Sequence, residues 1–472
     1  MDNKLRQSLH SPLLENTQSK ILDDINEANE KGLLHILYSN YDKIYGYSQN
    51  ILIPYKNHNN TIVGLIIINN PEDAQRLAEN HVKKTPYLKK FVYDSIISTT
   101  DTDHWSEQRR SFQPAFSVEN ELKKIIPISN ARAIYSLDKL FNYQKTCDND
   151  YIDIYSFFLN ETMAQLQLAM FGFSDKFEKE TNFKIRNAFS NNDTKYASEF
   201  VKKFLIELEE SHGPLSKVMR NRNLTRPCKR EIVGNSLIFP FAGHDTTANT
   251  LTWLIYELCS NPICYNKLQE EVDLFWKDKM DNNIEYTDFK LLPYMTRCIM
   301  ETLRLWTSIP NGTSRELETD EYIVGKNGEQ VKINKGTFIQ IPNWTRHRNP
   351  LLWGDDVDKF NPDREFVDDE LWNNSVFASY NPNSERFSPF TYSPRDCIGK
   401  NFSQIEMRII LLHLFKEFKF SLPHQQKNTY SDEIVSLNKA TLAPRNIYNK
   451  SLKDNKTGLY VVVNYRDFNS KL

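Results

Sequence analysis

From Trp105 to about Pro310 the apolar residues recur at helical spacing for about two hundred residues, with no linker and no internal repeat to divide them. A stretch of that length can hide its apolar faces only in one large helical core, which excludes a β-sandwich, a barrel or a repeat array. Helical segments read out at Ile154–Phe171, Ser198–Glu210, Lys229–Ser260 and Pro293–Trp306. Strand signals flank this block. Thr61–Ile68 is a continuous β-branched and apolar run, and Asn70 then supplies an N-cap with Pro71 at the first helical position. Leu317–Ile341 reads as strands with turns at Asn327-Gly328 and Lys335-Gly336, and Pro350–Arg395 is loop-rich. A helix follows from Asn401 to about Lys419, and Thr441–Tyr465 reads as a hairpin. The expected fold is mainly α with small β-sheets, a single large domain over residues 51–472. It is preceded by a polar, partly ordered segment, 1–50, with one helix around Ser19–Leu34.

Composition narrows the partners. The chain of 472 residues is 39% hydrophobic and 12% aromatic, enough for a sizeable core, and its net charge of -2 argues against nucleic acid or an anionic membrane as partner. The longest apolar runs fall far short of the roughly 20 residues that cross a bilayer. The polar N-terminus lacks the apolar stretch of a signal peptide, so the expectation is a soluble cytoplasmic protein without a transmembrane anchor. Ten histidines show no zinc spacing, and His244 and His347 read as structural. Six cysteines without a CxxC pair exclude a zinc ribbon and a disulfide scaffold; each is by default a buried, inert thiol.

Cys397 departs from that default. It lies in the segment from Pro389 to Phe402, where a loop containing Pro394 and Gly399 leads straight into an amphipathic helix. Backbone N–H groups at a helix start favour thiolate over thiol. Gly399 permits close approach of a bulky flat ligand, and Arg395 can pair with a carboxylate on it. With Phe390, Arg395, Cys397 and Gly399 in place, the segment resembles the haem-binding loop of the cytochrome P-450 family, Phe-x-x-Gly-x-Arg-x-Cys-x-Gly. One position departs: Ser393 stands where the family has glycine, which bears on the tightness of the turn.

Further segments match that family in the same order. Glu301 and Arg304 share one helix face at i,i+3 spacing, and Phe360–Arg364 resembles Phe-x-Pro-x-Arg. The resemblance implies that Glu301, Arg304 and Arg364 form a buried structural network bracing the cysteine loop. Within the Lys229–Ser260 helix, Ala242–Thr247 resembles Ala-Gly-x-Asp/Glu-Thr-Thr; Asp245 and Thr246 then take the proton-delivery role. Gly243 and the paired threonines are expected to open the helix locally, and Pro240 to kink it. Trp105 and Arg109 sit at i,i+4 on one helix face and resemble the family's propionate-binding pair, with Arg315 at another propionate position.

The resemblance covers about Ile51 to Tyr465. It implies a haem-thiolate monooxygenase: heme b with a cysteine thiolate axial ligand, acting with O2 on a lipophilic small molecule such as a fatty acid or sterol. No GxGxxG opens a helix after a strand, so electrons are expected from a separate NAD(P)H-dependent reductase or ferredoxin. Lys400 and Arg408 are candidate docking charges for that partner. Phe171 to Ala242, which in the family roofs the substrate pocket, is short and polar here, with Ser190–Thr194 and Asn221–Asn223 expected to interrupt it. Pocket walls are expected at Lys84–Ile97, Ser308–Thr313 and Thr441–Ile447. Two alternatives stand beside the monooxygenase: a peroxide-driven or isomerase-type enzyme, and a non-catalytic haem sensor or carrier.

Overall fold

A computed structural model describes residues 3–466 apart from 15–16, 58, 60, 147–150, 278, 280–281, 367–375, 378–383, 424–435, 439–440 and 445–456. Its axis is the helix Lys229–Ser260, buried on nearly every side from Thr247 to Leu258. That all-round burial is why this segment carries apolar residues on all its faces rather than on one stripe. Its broadest helix contact is with Ile154–Gln165; Pro293–Leu305 and Thr194–Glu210 also pack on it. Trp253 fixes the far end: its indole stacks on Trp306 at 3.8 Å and donates Nε1–H to the Leu442 carbonyl at 2.9 Å.

The helix runs unbroken through Pro240 and through Gly243–Thr247, so the expected local opening is absent. What the sequence read as weakness is a packing device. A Cβ on Gly243 would lie 3.0 Å from the Leu166 side chain, at the start of the π-turn Leu166–Met170 that ends the neighbouring helix. Glycine lets the two helices approach there.

Beside the helices lies a four-stranded sheet. Ile51–Lys56 pairs antiparallel with Ile62–Ile67, which runs parallel to Phe338–Ile341, itself antiparallel to Thr313–Glu316. The expected turns at Gly328 and Gly336 form, both glycines at φ 82°. The tail differs from expectation. Leu442–Pro444 pairs with Ser436–Asn438, while Tyr460–Tyr465 joins Tyr151–Asp153 and Phe418–Ser421 in a separate sheet, so these strands take different partners and form no hairpin together.

Residues 3–50 carry more structure than the polar composition suggests, with helices at Asn3–Ser8, Gln18–Glu30 and Leu34–Tyr45. Tyr38 and Tyr41 pack on Ile51, Ile53, Leu65 and Ile67. Among the described residues no helix is long and apolar enough to cross a membrane.

The short polar stretch after Phe171 folds as a helical hairpin, Asp175–Asn191 and Thr194–Glu210. Ser190–Thr194 is its turn: Asn192 is left-handed (φ 54°) and Asp193 caps the second helix through Tyr196 N–H at 3.0 Å. Asn221–Asn223 interrupts nothing; it lies within the helix Pro214–Thr225. Phe171, Phe173, Phe177, Phe200 and Phe204 seal the hairpin base with edge and stacked contacts of 4.8–6.1 Å. There the chain enters and leaves at one point. The Gly213 N–H donates to Phe171 O at 3.0 Å, and a Cβ on Gly213 would stand 2.2 Å from the Phe171 carbonyl carbon.

Candidate functional site

The loop Ser388–Gly399 feeds directly into the helix Lys400–Glu417. Two backbone bonds shape it: Thr391 N–H to Ser388 O at 2.9 Å and Cys397 N–H to Phe390 O at 2.8 Å. The left-handed residue of this loop is Thr391, at φ 60°, so Ser393 occupies a position that does not require glycine in this chain. Phe390 packs half-buried against the main core. A Cβ added at Gly399 would meet only the Cys397 sulfur, at 3.9 Å; the protein by itself does not demand glycine there, whereas a flat group on that sulfur would.

Cys397 remains accessible although protein surrounds it densely. Burial pushes its thiol up, against a downward pull from the Gly399 N–H and from Arg109 and Lys400. The Gly399 N–H pulls toward thiolate, as expected of a donor at a helix start, but desolvation outweighs it. A bound cation at the sulfur would reverse the balance, as metals do for coordinated thiols.

Three cations converge near this loop. Arg315, on the strand Thr313–Glu316, lies close enough to depress both Lys84 and Arg395, and Arg395 also depresses Lys84. Burial, then Arg315 and Arg395, pushes Lys84 well below the usual lysine range. Burial holds Arg315 down to about 10, and burial and Arg315 together hold Arg395 down to about 9. Lys84 and Arg315 both donate to the Thr313 hydroxyl. Arg395 spends donors on the carbonyls of Val82 (2.6 Å) and Thr99 (2.9 Å) and lies 5.0 Å over the Trp105 ring. Yet Nε and Nη2 of Arg315 and Nε of Arg395 are buried with no hydrogen-bond partner among the described residues. The nearby acid Glu318 is engaged elsewhere, accepting from the Val82 and Lys83 N–H groups. Unmatched buried cations are expensive, and carboxylates of a bound ligand would offset that cost.

Arg109 is placed differently from expectation. It grips the Asp396 carboxylate and carbonyl, both at 2.7 Å, and so fastens its helix to the residue preceding Cys397. Lys400 also binds Asp396, at 2.8 Å. Arg408, expected as a docking charge, is fully buried and donates to Thr296 Oγ1 at 2.8 Å; it is excluded from any docking face.

Glu301, Arg304 and Arg364 do come together. Arg304 binds Glu301 through Nε and Nη2, each at 2.8 Å, and Arg364 Nε adds a longer contact at 3.3 Å. Arg304 continues to the carbonyls of His347 (2.8 Å) and Val357 (2.7 Å). His347, held neutral by burial beside Arg346 and Arg304, accepts the Ser388 N–H at Nε2, 3.0 Å. The network thereby reaches the cysteine loop through a histidine, and Arg346 adds a bond to Ser388 Oγ at 2.8 Å.

On the central helix, Thr246 Oγ1 donates to Ala242 O at 2.9 Å, and Ser308 Oγ donates to Thr246 O at 3.0 Å. The Asp245 carboxylate takes the Thr441 hydroxyl and, at 3.5 Å, the Tyr155 phenol. Burial and Asp245 together drive that phenol well above its ordinary range. His244 turns Nδ1 to the Pro240 carbonyl at 2.7 Å and stays structural. Of the expected pocket walls, Ile96 is tied to the central helix through Asn235 at 3.0 Å; residues 445–447 of the third wall lie outside the described residues. Sequence reasoning missed Lys84, Tyr155, Asp396 and the bridging role of His347. Of these only Asp396, adjacent to Cys397, carried a local signal.

Comparison with known proteins bears on this geometry. Residues 215–445 match the family model described as Cytochrome P450. That stretch spans the central helix, the Glu301 network and the cysteine loop, and over it the chain is similar to the cytochrome P450 family. It is 33% identical over 241 residues to the Caenorhabditis elegans protein named "Putative cytochrome P450 CYP13A6", covering 51% of this chain and 42% of the relative. It is 31% identical over 217 residues to the one named "Putative cytochrome P450 CYP13A4", covering 46% and 38%. The chain thus aligns with less than half the length of these relatives.

Proposed function

We propose that this protein is a haem-thiolate monooxygenase, with heme b bound through the Cys397 sulfur. The observation that carries the reading is the pair Arg315 and Arg395, buried beside the cysteine loop with half-buried Lys84 and carrying guanidinium donors that no described residue satisfies. Two ligand carboxylates would meet that need, and a cationic iron at the sulfur would overcome the burial that keeps Cys397 a thiol. A thiolate-bound haem supplies O–O cleavage and oxygen insertion into a C–H bond.

The chain's own residues supply placement and protons. Trp105, Arg315 and Arg395 hold the carboxylates, and Lys84 joins them. Arg109 acts through Asp396, holding the residue beside the ligand, while Phe390 and Gly399 shape the loop around the flat group. Glu301, Arg304 and Arg364 keep that loop rigid through His347. The Thr246 hydroxyl rests on the Ala242 carbonyl of its own helix, a bond it can leave by rotating, so it can turn to hold a proton, and half-buried Asp245 can refill it. A peroxide-driven enzyme or a carrier has no use for that pair. Electrons come from a separate NAD(P)H-dependent reductase or ferredoxin, and the substrate is a lipophilic small molecule, fatty-acid-like or sterol-like.

The test is the spectrum of the reduced holoprotein with carbon monoxide. A thiolate-type Soret band that disappears in Cys397→Ala supports the reading; a band that survives in the variant overturns it.

A further inference from the structure

Glu406 lies on the helix Lys400–Glu417 with its side chain wholly buried, and neither carboxyl oxygen has a hydrogen-bond partner among the described residues. The Thr247 hydroxyl of the central helix stands alongside it and offsets part of the cost of its ionised form. The charged group facing it is another acid, Glu161, from the helix Ile154–Gln165. Glu161 is already matched by Arg132 Nε at 3.0 Å and Gln165 Nε2 at 2.9 Å. Arg408, two residues further along the helix, directs its donors to Thr296, Gln404 and the Phe377 ring.

An ionised carboxylate in that setting would have no counter-charge and only the Thr247 hydroxyl as a donor, a state that buried groups avoid by taking up a proton. Burial raises Glu406 well above the usual carboxylate range. An un-ionised carboxyl has one O–H to give, and the Thr247 hydroxyl can accept it. The contact joins two functional elements: the helix that begins three residues after Cys397, and the helix that carries Thr246.

We propose that Glu406 is a positioning residue that joins the cysteine helix to the proton-delivering helix at Thr247 as a neutral acid. The inference rests on the monooxygenase reading above for what the two helices hold between them. Ionisation would put an unmatched charge between the helices and remove the donor, so the same residue sets an alkaline limit on the centre.

Two measurements on wild type, Glu406→Gln and Thr247→Val holoproteins test this. The infrared difference between wild type and Glu406→Gln at neutral pH should show the carbonyl stretch of a protonated carboxyl; bands of an ionised carboxylate alone would overturn the proposal. Thr247→Val keeps the acid and removes its acceptor, so it should shift that stretch even where Glu406→Gln fails to fold, and an unmoved band counts against the link. The thiolate-type carbon monoxide band should be lost with rising pH in wild type and persist to higher pH in Glu406→Gln, whose amide keeps the shape without the titration. Identical pH profiles would reduce Glu406 to core packing and sink the inference. A wild type with no thiolate band at all would strike at the haem assignment, and the infrared result would still decide the state of Glu406.

Discussion

Lys84 and Arg315 share one acceptor, the hydroxyl of Thr313, while Nη2 of Arg315 has no partner among the described residues. Two cationic side chains, one of them fully buried, meet on a single neutral oxygen. A protein tolerates this when something anionic completes the set.

Lys84→Met should therefore act in opposite directions on the two forms of the protein. Without haem, removing an ammonium that faces Arg315 and Arg395 raises the unfolding midpoint. With haem, a charge-assisted bond is lost, about 1.5–3 kcal/mol or roughly ten- to a hundredfold in haem affinity. The pH trend follows. The folded lysine titrates below its unfolded range, so the unfolded chain binds the extra proton between those two values, and apoprotein stability climbs with pH across that interval. Denaturant titrations from neutral to alkaline pH check both points; a Lys84→Met apoprotein with an unchanged slope would contradict them.

Thr246→Ala removes the hydroxyl without touching Cys397 or the cation trio. Haem content and the carbon monoxide band should stay at wild-type levels. Product formation should fall by about a hundredfold, the scale of a positioned proton donor, while NAD(P)H is still consumed and peroxide released. The ratio of peroxide to product is the measurement.

Glu301→Gln leaves fully buried Arg304 without its carboxylate and Arg364 with the carboxylate of Asp356 alone. The expected loss is about 3–5 kcal/mol, the range for breaking one partner out of a buried ion pair. Urea unfolding reads it. The Ser388 contact through His347 should loosen as well, so the carbon monoxide band should decay faster in the variant than in wild type.

His413 is held neutral by burial, its imidazole pushed down to about 3 beside Lys416. Its folded value lies below the unfolded one, so stability is full above about pH 6.5 and drains as pH falls toward 3. The slope is about 1.4 kcal/mol per pH unit for this one group. His413→Gln can keep the bond to Asn130 and should flatten the acid limb by one proton; an unaltered limb would disprove the assignment.

What could be read before the structure was what depends on neighbours in the chain. Asn70 and Pro71 announced a helix start, and Asn70 Oδ1 does accept the Asp73 N–H at 3.0 Å. The i,i+3 spacing of Glu301 and Arg304 placed them face to face. Lys84 lay beyond such reasoning: next to Lys83 in a polar stretch, it looks like surface charge, and only the distant strand Thr313–Glu316 and the cysteine loop bury it. The terminal strand failed for the same reason, since its partners Tyr151–Asp153 lie some three hundred residues earlier. The helix opening expected at Gly243 was a local rule overridden by tertiary packing against Leu166.

The meeting of Phe171 with Gly213 makes the helical hairpin between them a closed loop on the polypeptide path. Everything from Ser174 to His212 leaves and rejoins the chain at a single seam, so a change in its length need not move the chain on either side. Evolution, or a protein engineer cutting at that seam, can swap the hairpin for a longer or differently shaped cassette and leave the cysteine loop in register.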